Sequence, residues 1–479
     1  MDETSRTYDV IVIGAGPVGE NVAERTRAAG LSTVIVEREL LGGECSFWAC
    51  EPSKALLRPV LAHAEARRIP GLGAAGTRTL DVEAVLAHRD RMAAHWKDED
   101  QADWLASVSV DLLRGHGQLD GPRKVTVHLP GGEAVRLTAR HAVVLSTGTT
   151  AALPDIPGID TVPVWTSREA TSAQSVPARL AVVGAGVVAV EMATAWQGLG
   201  SQVTLLVRDG ELLERAEPFA GELVTAALRE AGTDIRFGVE VASLAPHGEA
   251  GDEIRITLTD GGELVTDEIL VATGRTPRTT NLGLETVGLV PGGWLDVDDT
   301  FRVTDVPGDW LYAVGDINRR ALLTHQGKYQ ARIAGTVIGA RANGETVDAS
   351  PWSRHTATAD KVAVPQVVFT APEVASVGLT TRDAERTGRR VDVVDYDLGL
   401  LAGAQQYLPG YQGRARMLVD PERGTVVGVT FVGPGVAELV HSATVVIAGE
   451  VPVERLWHAV PAFPTIGEVW LRLLETYRG

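Results

Sequence analysis

The chain has 479 residues, which is too many for one hydrophobic core and predicts about three domains. Its 44% hydrophobic and 22% charged residues are ordinary for a globular protein, and no apolar run approaches the roughly 18 residues that span a bilayer. The 44 Lys and Arg residues against 62 Asp and Glu residues give a formal charge of −18, which disfavours nucleic acid and membranes as partners.

The start of the chain leaves little room for a targeting segment. Residues 1–7 are polar, and residues 10–14 already show the pattern of a buried strand. We therefore expect no signal peptide and a cytoplasmic protein. The chain has 2 cysteines, Cys45 and Cys50. This number excludes a disulfide-rich secreted scaffold and leaves either a catalytic or an inert pair.

A strand that runs into a glycine-rich turn occurs twice in the chain. Residues 8–19 read YDVIVIGAGPVG, and residues 179–189 read RLAVVGAGVVA. Each copy continues through a helical stretch to a second apolar strand, at residues 33–37 and at residues 202–208. This pattern is a βαβ unit, and it predicts two doubly wound, Rossmann-like α/β domains that each bind one dinucleotide.

Each turn presents three small residues to a dinucleotide. The first glycine permits the tight turn, the second lets backbone N–H groups approach the pyrophosphate, and the third position permits close packing of helix and strand. These positions are Gly14, Gly16 and Gly19 in the first copy and Gly184, Gly186 and Ala189 in the second. The phosphates would then lie at the positive N-terminus of a helix.

Both cysteines follow the first βαβ unit. Residues 42–54 read GGECSFWACEPSK, which places Cys45 and Cys50 at the apparent start of a helix. The helix dipole would favour a thiolate at that position. The alternative is that both residues are buried, inert thiols.

Three further buried strands follow the nucleotide units. Residues 143–148 and 269–275 contain Thr-Gly near their ends and look like returns into the two domains. They contribute Thr147, Gly148, Gly274 and Arg275 as candidate cofactor-binding residues. Residues 310–316 end at Asp316, whose carboxylate either accepts hydrogen bonds from a ribitol or ribose hydroxyl or is a turn residue.

The last part of the chain changes character. A capped helix is predicted to start at residues 323–326, around Thr324, and its dipole could stabilise negative charge on a reduced flavin. From about residue 351 the glycine-rich turns stop, and strand-like runs precede a helical stretch. We expect a separate α+β domain there.

The cysteine motif, the two glycine-rich turns and the strand that ends in Gly315-Asp316 together resemble the pyridine nucleotide-disulfide oxidoreductases, over essentially the full chain. The resemblance implies FAD in the first nucleotide domain, a nicotinamide cofactor in the second, and a homodimer. On this basis residues 1–155 and 276–350 form the FAD-binding domain, residues 156–275 the NAD(P)-binding domain, and residues 351–479 the C-terminal dimerisation domain.

The resemblance also implies roles for single residues. Cys50 matches the flavin-proximal sulfur that forms a charge-transfer contact, and Cys45 matches the sulfur that exchanges with a disulfide. Lys54 and Glu191 match an ion pair beside the flavin N5 and the nicotinamide, although either could be a surface charge. The remaining matches are Gly43 in the cysteine motif, Glu37 at the adenosine ribose, Asp316 at the ribitol and Glu468 beside an acid/base residue.

The second βαβ unit contains residues that indicate which nicotinamide cofactor is preferred. Val207 stands where a ribose-binding carboxylate would be, and Arg208 follows it. Because Arg can pair with a 2′-phosphate, we expect NADPH to be preferred and NADH to be possible, with Arg215 assisting. The alternative is a solvated Arg at a strand end.

The sequence departs from the family in its C-terminal loop. That loop usually reads His-Pro-Thr-x-x-Glu, with His as the acid that protonates the departing thiolate. Here Phe463 replaces the His, while the Pro, the Thr and Glu468 keep their places. We therefore expect poor reduction of aliphatic disulfides, unless His458 or Glu51 supplies the proton.

Two other departures bear on the acceptor. Phe47 and Trp48 replace smaller residues between the cysteines, and they either shape a site for an aromatic acceptor or only fill the core. No cysteine follows Cys50, so the chain lacks the paired C-terminal thiols that a mercury-reducing member would need. No resident metal is expected.

The leading hypothesis is an NAD(P)H-dependent FAD oxidoreductase with a redox-active Cys45–Cys50 pair. It would act on a disulfide or a related small-molecule electron acceptor, or oxidise a dithiol in the reverse direction. The first alternative is a quinone or dye reductase that transfers electrons directly from the flavin. The second is a flavin-binding redox sensor or scaffold without enzymatic activity.

Overall fold

The structure, a computed structural model of the chain, describes residues 5–72, 79–249 and 251–479. Its strands are β1 (Ser5–Ile13), β2 (Thr33–Glu37), β3 (Asp111–Arg114), β4 (His116–Leu119), β5 (Lys124–His128), β6 (Ala134–Leu145), β7 (Thr149–Ala151), β8 (Arg179–Val183), β9 (Gln202–Val207), β10 (Asp234–Phe237), β11 (Val241–His247), β12 (Glu253–Leu258), β13 (Glu263–Thr266), β14 (Glu268–Val271), β15 (Arg275–Pro277), β16 (Leu311–Ala313), β17 (Pro365–Val368), β18 (Glu373–Gly378), β19 (Asp392–Asp397), β20 (Arg414–Asp420) and β21 (Thr425–Gly433). Its α-helices are α1 (Pro17–Ala28), α2 (Gly43–Trp48), α3 (Cys50–Ala66), α4 (Val82–Met92), α5 (Glu99–Ser107), α6 (Ser167–Ser172), α7 (Val187–Leu199), α8 (Pro218–Glu230), α9 (Thr324–Ala342), α10 (Ala359–Val362), α11 (Thr381–Thr387), α12 (Ala402–Tyr407), α13 (Val440–Ala448), α14 (Val453–Leu456) and α15 (Val469–Arg478). Short 3-10 helices include Ala94–Trp96, Gly315–Asn318 and Ile466–Glu468.

The described residues group into two compact units. The first contains those of Met1–Glu51, Asp90–Ala152 and Gly274–Lys361, and the second contains those of Pro52–Arg89, Leu153–Thr273 and Val362–Gly479. Part of the segment that the sequence analysis assigned to the FAD-binding domain thus groups with the second unit. The boundaries of the three expected domains stay a prediction.

The first unit is built on a seven-stranded sheet. Six of its strands have the order β3-β2-β1-β6-β5-β4, and the seventh, β16, pairs with β6. Strands β3, β2, β1 and β6 are parallel, and β6 also pairs with parallel β16 and antiparallel β5. Successive residues of β1 enter clusters on opposite faces of the sheet: Val10 packs with helices α1 and α9, and Ile11 packs with β5. Burial on both faces explains why this strand is continuously apolar.

The second unit contains three sheets. A parallel sheet has the order β10-β9-β8-β14, and a small antiparallel sheet has the order β11-β12-β13. The antiparallel sheet of the C-terminal region has the order β17-β18-β21-β20-β19. The predicted fold class is therefore confirmed: two doubly wound α/β nucleotide-binding domains and a C-terminal α+β domain.

Several strands end earlier than the sequence predicts. Strand β6 ends at Leu145 and β16 at Ala313, so residues 146–148 are irregular and Gly315–Asn318 form a 3-10 helix. The predicted strand at residues 269–275 ends at Val271, and Arg275 begins a separate strand, β15. A glycine with a positive φ or a polar turn residue follows each buried run, and the strand pairing stops before it.

Helix α9 begins at Thr324 as predicted, but its predicted side-chain cap was wrong. The N-cap residue is Leu323, whose side chain has no acceptor, and no side chain caps the helix. The Thr324 hydroxyl contacts the cysteine sulfurs instead. None of the described helices is long and apolar enough to cross a membrane.

Candidate active site

The first glycine-rich turn has the geometry of a phosphate cradle. Gly14 has φ +101°, and a Cβ there would lie 2.5 Å from the Ser146 carbonyl oxygen. A Cβ at Gly19 would lie 1.9 Å from the Gly14 carbonyl oxygen. At Gly16, by contrast, nothing lies within 4 Å of the Cβ position. Two of the glycines therefore serve backbone packing, and the middle one faces open space at the N-terminus of α1.

A carboxylate closes the strand beside this turn. Glu37 Oε2 accepts the Ala15 N–H at 2.7 Å, and Oε1 accepts the Glu39 N–H at 2.8 Å. The side chain thus braces the glycine-rich turn. Each carboxylate oxygen can accept a second hydrogen bond, which leaves capacity for a ribose hydroxyl.

The second glycine-rich turn repeats the arrangement in the second unit. Gly184 has φ +134°, and a Cβ there would lie 2.5 Å from the Ala272 carbonyl oxygen. Nothing lies within 4 Å of the Cβ position at Gly186, and Ala189 is fully buried. Arg208, at the end of β9, is exposed and pairs with Asp209 at 3.4 Å. A cation is therefore available to solvent at the end of the second strand.

Asp316 lies in the 3-10 helix that follows β16, and burial raises the pKa of its carboxyl group. Its Oδ2 accepts the Thr149 hydroxyl at 2.9 Å. Thr149 Oγ1 in turn accepts Arg275 Nε–H at 2.6 Å. The structure thus connects two candidates, Asp316 and Arg275, through a threonine that sequence reasoning missed. The antiparallel pairing of β7 with β15 brings Thr149 and Arg275 together.

The neighbouring candidates lie in the same turns. Gly148 and Gly274 have φ +67° and +152°, conformations that favour glycine. The Thr147 hydroxyl donates to the Arg278 carbonyl oxygen at 2.9 Å, which ties the turn after β6 to the segment after β15. These contacts give Thr147, Gly148 and Gly274 a role in shaping the turns.

The two cysteines lie on consecutive helices. Cys45 is in α2, Cys50 is the first residue of α3, and Ala49 between them has φ −140° and ψ −96°. This break turns the chain, so that one hydroxyl reaches both sulfurs: Thr324 Oγ1 lies 3.2 Å from Cys45 Sγ and 3.3 Å from Cys50 Sγ. Both cysteines are half-buried.

The thiol pair is electrostatically coupled. The hydrogen bond with Cys50, and then burial, raise the pKa of Cys45, and the Thr324 hydroxyl opposes that rise. The nearby charge of Glu51 adds to the rise. The pair therefore resists having both sulfurs ionised at once, so that one thiol acts as donor to the other.

The cysteine segment lies directly against the first glycine-rich turn. Gly43, the first residue of α2, has φ +55°, and a Cβ there would lie 3.0 Å from Gly16 Cα. Glu44 then pairs with Arg278 at 2.8 Å. The sequence alone does not indicate this salt bridge, because the two residues are far apart in the chain and either is an ordinary surface charge on its own.

Lys54 and Glu191 meet within the second unit. Lys54 Nζ lies 2.8 Å from Glu191 Oε2, and the Glu191 side chain is buried. Glu191 Oε1 accepts the Phe369 N–H at 2.9 Å, and Lys54 Nζ lies 4.8 Å from the centroid of the Phe369 ring. Both oxygens of the buried Glu191 carboxylate thus have a hydrogen-bonding partner, and the ion pair keeps Lys54 in a fixed position.

The C-terminal loop places its aromatic residue in solvent. Phe463 is 74% exposed, whereas Glu468 is buried. Glu468 Oε1 pairs with Arg472 at 2.6 Å, and its Oε2 is buried without a hydrogen-bond partner in the described chain. Arg472, one helical turn after Glu468, was missed by the sequence analysis, although the i,i+4 spacing could have indicated it.

Within the described residues there is no group of three or more His, Cys, Asp or Glu residues that could hold a metal ion. The first unit joins an open glycine-rich turn, two carboxylates and a thiol pair, which fit an FAD molecule and a sulfur redox centre. The second unit presents a second open turn. This combination defines an oxidoreductase that uses two dinucleotides.

Comparison with known proteins identifies the family. Residues 8–335 match the family model described as pyridine nucleotide-disulphide oxidoreductase, and residues 364–473 match its dimerisation domain. The mercuric reductase of Shigella flexneri is 33% identical over 462 residues, which cover 95% of this chain and 78% of the relative. Dihydrolipoyl dehydrogenase 3 of Pseudomonas aeruginosa is 33% identical over 478 residues, which cover 96% of each chain.

The chain belongs to the pyridine nucleotide-disulphide oxidoreductase family, and it is an NAD(P)H-dependent flavoprotein oxidoreductase. The fold matches solved structures along nearly its full length. The Cu(II) complex of RclA from Escherichia coli, described as an HOCl-induced flavoprotein disulfide reductase, has a TM-score of 0.83 at 22% identity and covers 98% of this chain and 99% of its own. LpdA from Mycobacterium tuberculosis has a TM-score of 0.82 at 24% identity, with coverage of 97% and 99%.

Proposed function

We propose that this enzyme carries electrons from NADPH through FAD to a Cys45–Cys50 disulfide, and from the resulting dithiol to a small disulfide acceptor. The observation that carries the proposal is the single Thr324 hydroxyl within 3.2 and 3.3 Å of the two sulfurs. Two half-buried cysteines that share one hydroxyl form a redox pair, because a hydroxyl can stabilise a thiolate on either sulfur. Inert core thiols do not need such a donor.

The chemistry at the sulfurs balances as two thiol–disulfide exchanges. The Cys45 thiolate attacks one sulfur of the acceptor, forms a mixed disulfide and releases one thiolate. The Cys50 thiolate then attacks Cys45 Sγ, forms the Cys45–Cys50 disulfide and releases the second thiolate. The acceptor gains two electrons and two protons, and the enzyme dithiol becomes a disulfide. Bound FAD supplies the two-electron carrier that returns the disulfide to the dithiol.

The remaining candidates hold the two cofactors. Gly14, Gly16, Gly19, Glu37 and Asp316 bind FAD, and Gly184, Gly186 and Ala189 bind the nicotinamide dinucleotide. Lys54, kept in place by buried Glu191, follows Cys50 by four residues in α3. Exposed Arg208 receives the 2′-phosphate of NADPH. Each assignment rests on the contacts described above and on membership of the family.

The replacement of the family's acidic histidine by Phe463 restricts the disulfides that the enzyme can reduce. Phe463 cannot donate a proton, so the departing thiolate leaves without help from the position that carries the family's acid. Aromatic or strained disulfides, whose thiolates have a low pKa, meet this condition, and aliphatic disulfides do not. The reverse reaction, oxidation of a dithiol, is also compatible with this site.

We further propose a homodimer, which is supported by the match to the dimerisation domain. A cytoplasmic location stays a prediction.

A second candidate function is reduction of a quinone directly from the flavin. The exposed phenyl ring of Phe463 favours it, because a planar aromatic acceptor needs a stacking surface and no acid. The experiment that separates the two functions is Cys50→Ser, with Cys45→Ser as its matched control. We expect both variants to lose reduction of an aromatic disulfide such as 5,5′-dithiobis(2-nitrobenzoate). If both variants reduce the disulfide as fast as wild type and also retain quinone reduction, the cysteines are not required. That result would contradict the first function and support the second.

A further inference from the structure

The Gly315–Asp316 turn is held by a buried glutamine from helix α9. Gln330 is fully buried, and its Oε1 accepts the Gly315 N–H at 2.8 Å. The same oxygen accepts the Asn318 Nδ2–H at 2.8 Å. One amide oxygen therefore binds both ends of the 3-10 helix Gly315–Asn318 that carries Asp316.

A carboxylate on the far side fixes the orientation of this amide. Gln330 Nε2 donates to Asp360 Oδ2 at 2.9 Å, and Gln326 Nε2 donates to Asp360 Oδ1 at 2.6 Å. Gln326 is also buried, one helical turn before Gln330. Because each oxygen of Asp360 already receives an amide N–H, Gln330 keeps its own oxygen towards Gly315.

Glycines allow helix α9 to approach the turn closely. A Cβ at Gly327 would lie 2.5 Å from Val18 Cγ2 and 3.4 Å from Gly315 Cα. Gly315 has φ +77°, and a Cβ there would lie 3.2 Å from Val18. Val18 belongs to the first glycine-rich turn. Helix α9 therefore contacts both parts of the first unit to which FAD binding is assigned above.

We propose that Gln330, oriented by Asp360, is a positioning residue that sets the distance between Asp316 and the first glycine-rich turn, and thereby sets the affinity for FAD. This inference rests on the proposed assignment of Asp316 to FAD. Loss of the Gln330 amide removes the partner of the Gly315 N–H, of one Asn318 amide N–H and of one Asp360 oxygen, while the Asn318 amide keeps its hydrogen bond to the Ala313 carbonyl oxygen. The turn then relaxes, and the Asp316 carboxylate loses its fixed position.

The first test is Gln330→Met, which keeps a side chain of similar length and removes both hydrogen-bonding groups. The FAD dissociation constant is measured on the full-length holoenzyme by dilution, from the fluorescence of released flavin. We expect it to rise at least about tenfold, with a changed absorption band of the flavin that stays bound. The matched control is Thr381→Val, which removes a hydrogen bond to buried Glu217 in the second unit. We expect the control to lower Tm and to leave the dissociation constant unchanged.

The second test reverses the polarity of the contact. In Gln330→Glu combined with Asp360→Asn, the new carboxylate still accepts from Gly315 and Asn318. The amide introduced by the second substitution donates to that carboxylate and accepts from Gln326. All the hydrogen bonds are restored, so we expect an FAD affinity within about threefold of wild type, even if Gln330→Met does not fold.

Two results would overturn the inference: unchanged FAD affinity in Gln330→Met, or affinity in the double variant that is reduced by tenfold or more. Asp316→Ala separates this inference from the proposed function. If Asp316→Ala weakens FAD binding and Gln330→Met does not, only the positioning role is wrong. If Asp316→Ala binds FAD as tightly as wild type, the assignment of Asp316 itself is wrong.

Discussion

Lys54 Nζ lies 2.8 Å from Oε2 of Glu191, a carboxylate whose side chain is only 4% exposed. The lysine is four residues after Cys50, and the glutamate is in the helix that follows the second glycine-rich turn. A buried carboxylate that holds a partly exposed cation in this way fixes a positive charge at a defined position. Such a charge stabilises an anion that develops next to it.

The first prediction concerns this pair. Glu191→Gln keeps an oxygen for the Phe369 N–H but removes the charge that fixes Lys54. We expect flavin reduction by NADPH to slow by about tenfold or more, because the lysine charge is no longer held in place. Anaerobic stopped-flow absorbance measures the rate. The matched control is Glu217→Gln, a buried carboxylate of the same unit that pairs with Arg416. An equal slowing in the control would contradict the specific role of Glu191.

The second prediction concerns the hydroxyl between the sulfurs. Thr324→Val removes the hydroxyl that lies 3.3 Å from Sγ of Cys50, the sulfur assigned to the flavin contact, and that also lowers the pKa of Cys45. Without it the thiolate is less stable, so the pH midpoint of the thiolate-to-flavin absorption band should rise by about 1 unit. A pH titration of the two-electron-reduced enzyme at long wavelength measures the midpoint. Thr324→Ser keeps the hydroxyl and should keep the wild-type midpoint. If Val and Ser give the same midpoint, the hydroxyl does not act on the thiols.

The third prediction concerns stability and pH. Burial raises the pKa of Glu20 from 4.5 to about 7, although Lys328 opposes the rise. Between these two values the folded state holds a proton that the unfolded state has lost, so stability falls as the pH rises through that window. The loss reaches up to about 3 kcal/mol at pH 8. Glu20→Gln removes the penalty.

We therefore expect Glu20→Gln to exceed wild type in Tm at pH 8 and to match it near pH 4.5. Glu24→Gln, one turn later on α1, is the control and should follow wild type at both values. Thermal unfolding by circular dichroism gives Tm. A Glu20→Gln variant that is no more stable than wild type at pH 8 would show that the carboxylate has other stabilising contacts at that pH.

The fourth prediction concerns cofactor choice. Arg208 is exposed and available to a 2′-phosphate, and Asp209 pairs with it only weakly, at 3.4 Å. Arg208→Ala should lower kcat/KM for NADPH by at least about tenfold and leave the value for NADH nearly unchanged. Arg236→Ala, at a half-buried arginine of the neighbouring strand β10 that pairs with Asp234 at 2.9 Å, is the control. Wild-type kcat/KM for NADH equal to or above that for NADPH would refute the preference.

The fifth prediction concerns the missing acid. Wild type should reduce an aliphatic disulfide with kcat/KM below roughly 10⁴ M⁻¹s⁻¹. Phe463→His should raise this value by about tenfold or more, because Glu468 Oε2 is buried and free to accept an imidazole N–H. Phe463→His combined with Glu468→Gln should lose most of the gain. An efficient wild-type enzyme would show that His458, Glu51 or another group supplies the proton.

The parts of this site that the sequence could predict are those that lie in short local motifs. The glycines of both turns, the cysteine motif and Asp316 are local signals, because each lies where a strand ends and the chain must turn. The resemblance to the family brought Lys54 and Glu191 together across 137 positions. No local pattern could have done so, since each is an ordinary charged residue of a helix.

The contacts that sequence reasoning missed depend on tertiary packing. Thr149 reaches Asp316 only because β7 pairs with β15, and Arg278 reaches Glu44 across 234 positions. Gln330 and Asp360 are polar residues that an isolated pattern assigns to the surface, yet Gln330 is fully buried and donates to half-buried Asp360. Their burial follows from the close approach of α9 at two glycines, which only the assembled unit shows.

The central claim is that Cys45 and Cys50 form a redox-active disulfide that works with the flavin. An anaerobic reductive titration measures it directly, by counting the electrons that each subunit accepts before its flavin is fully bleached. A flavin and a disulfide together accept about four electrons, and a flavin alone accepts about two. We expect about four for wild type, with a long-wavelength band at the midpoint, and about two for Cys50→Ser without that band. A wild-type enzyme that is fully bleached by about two electrons would contradict the account.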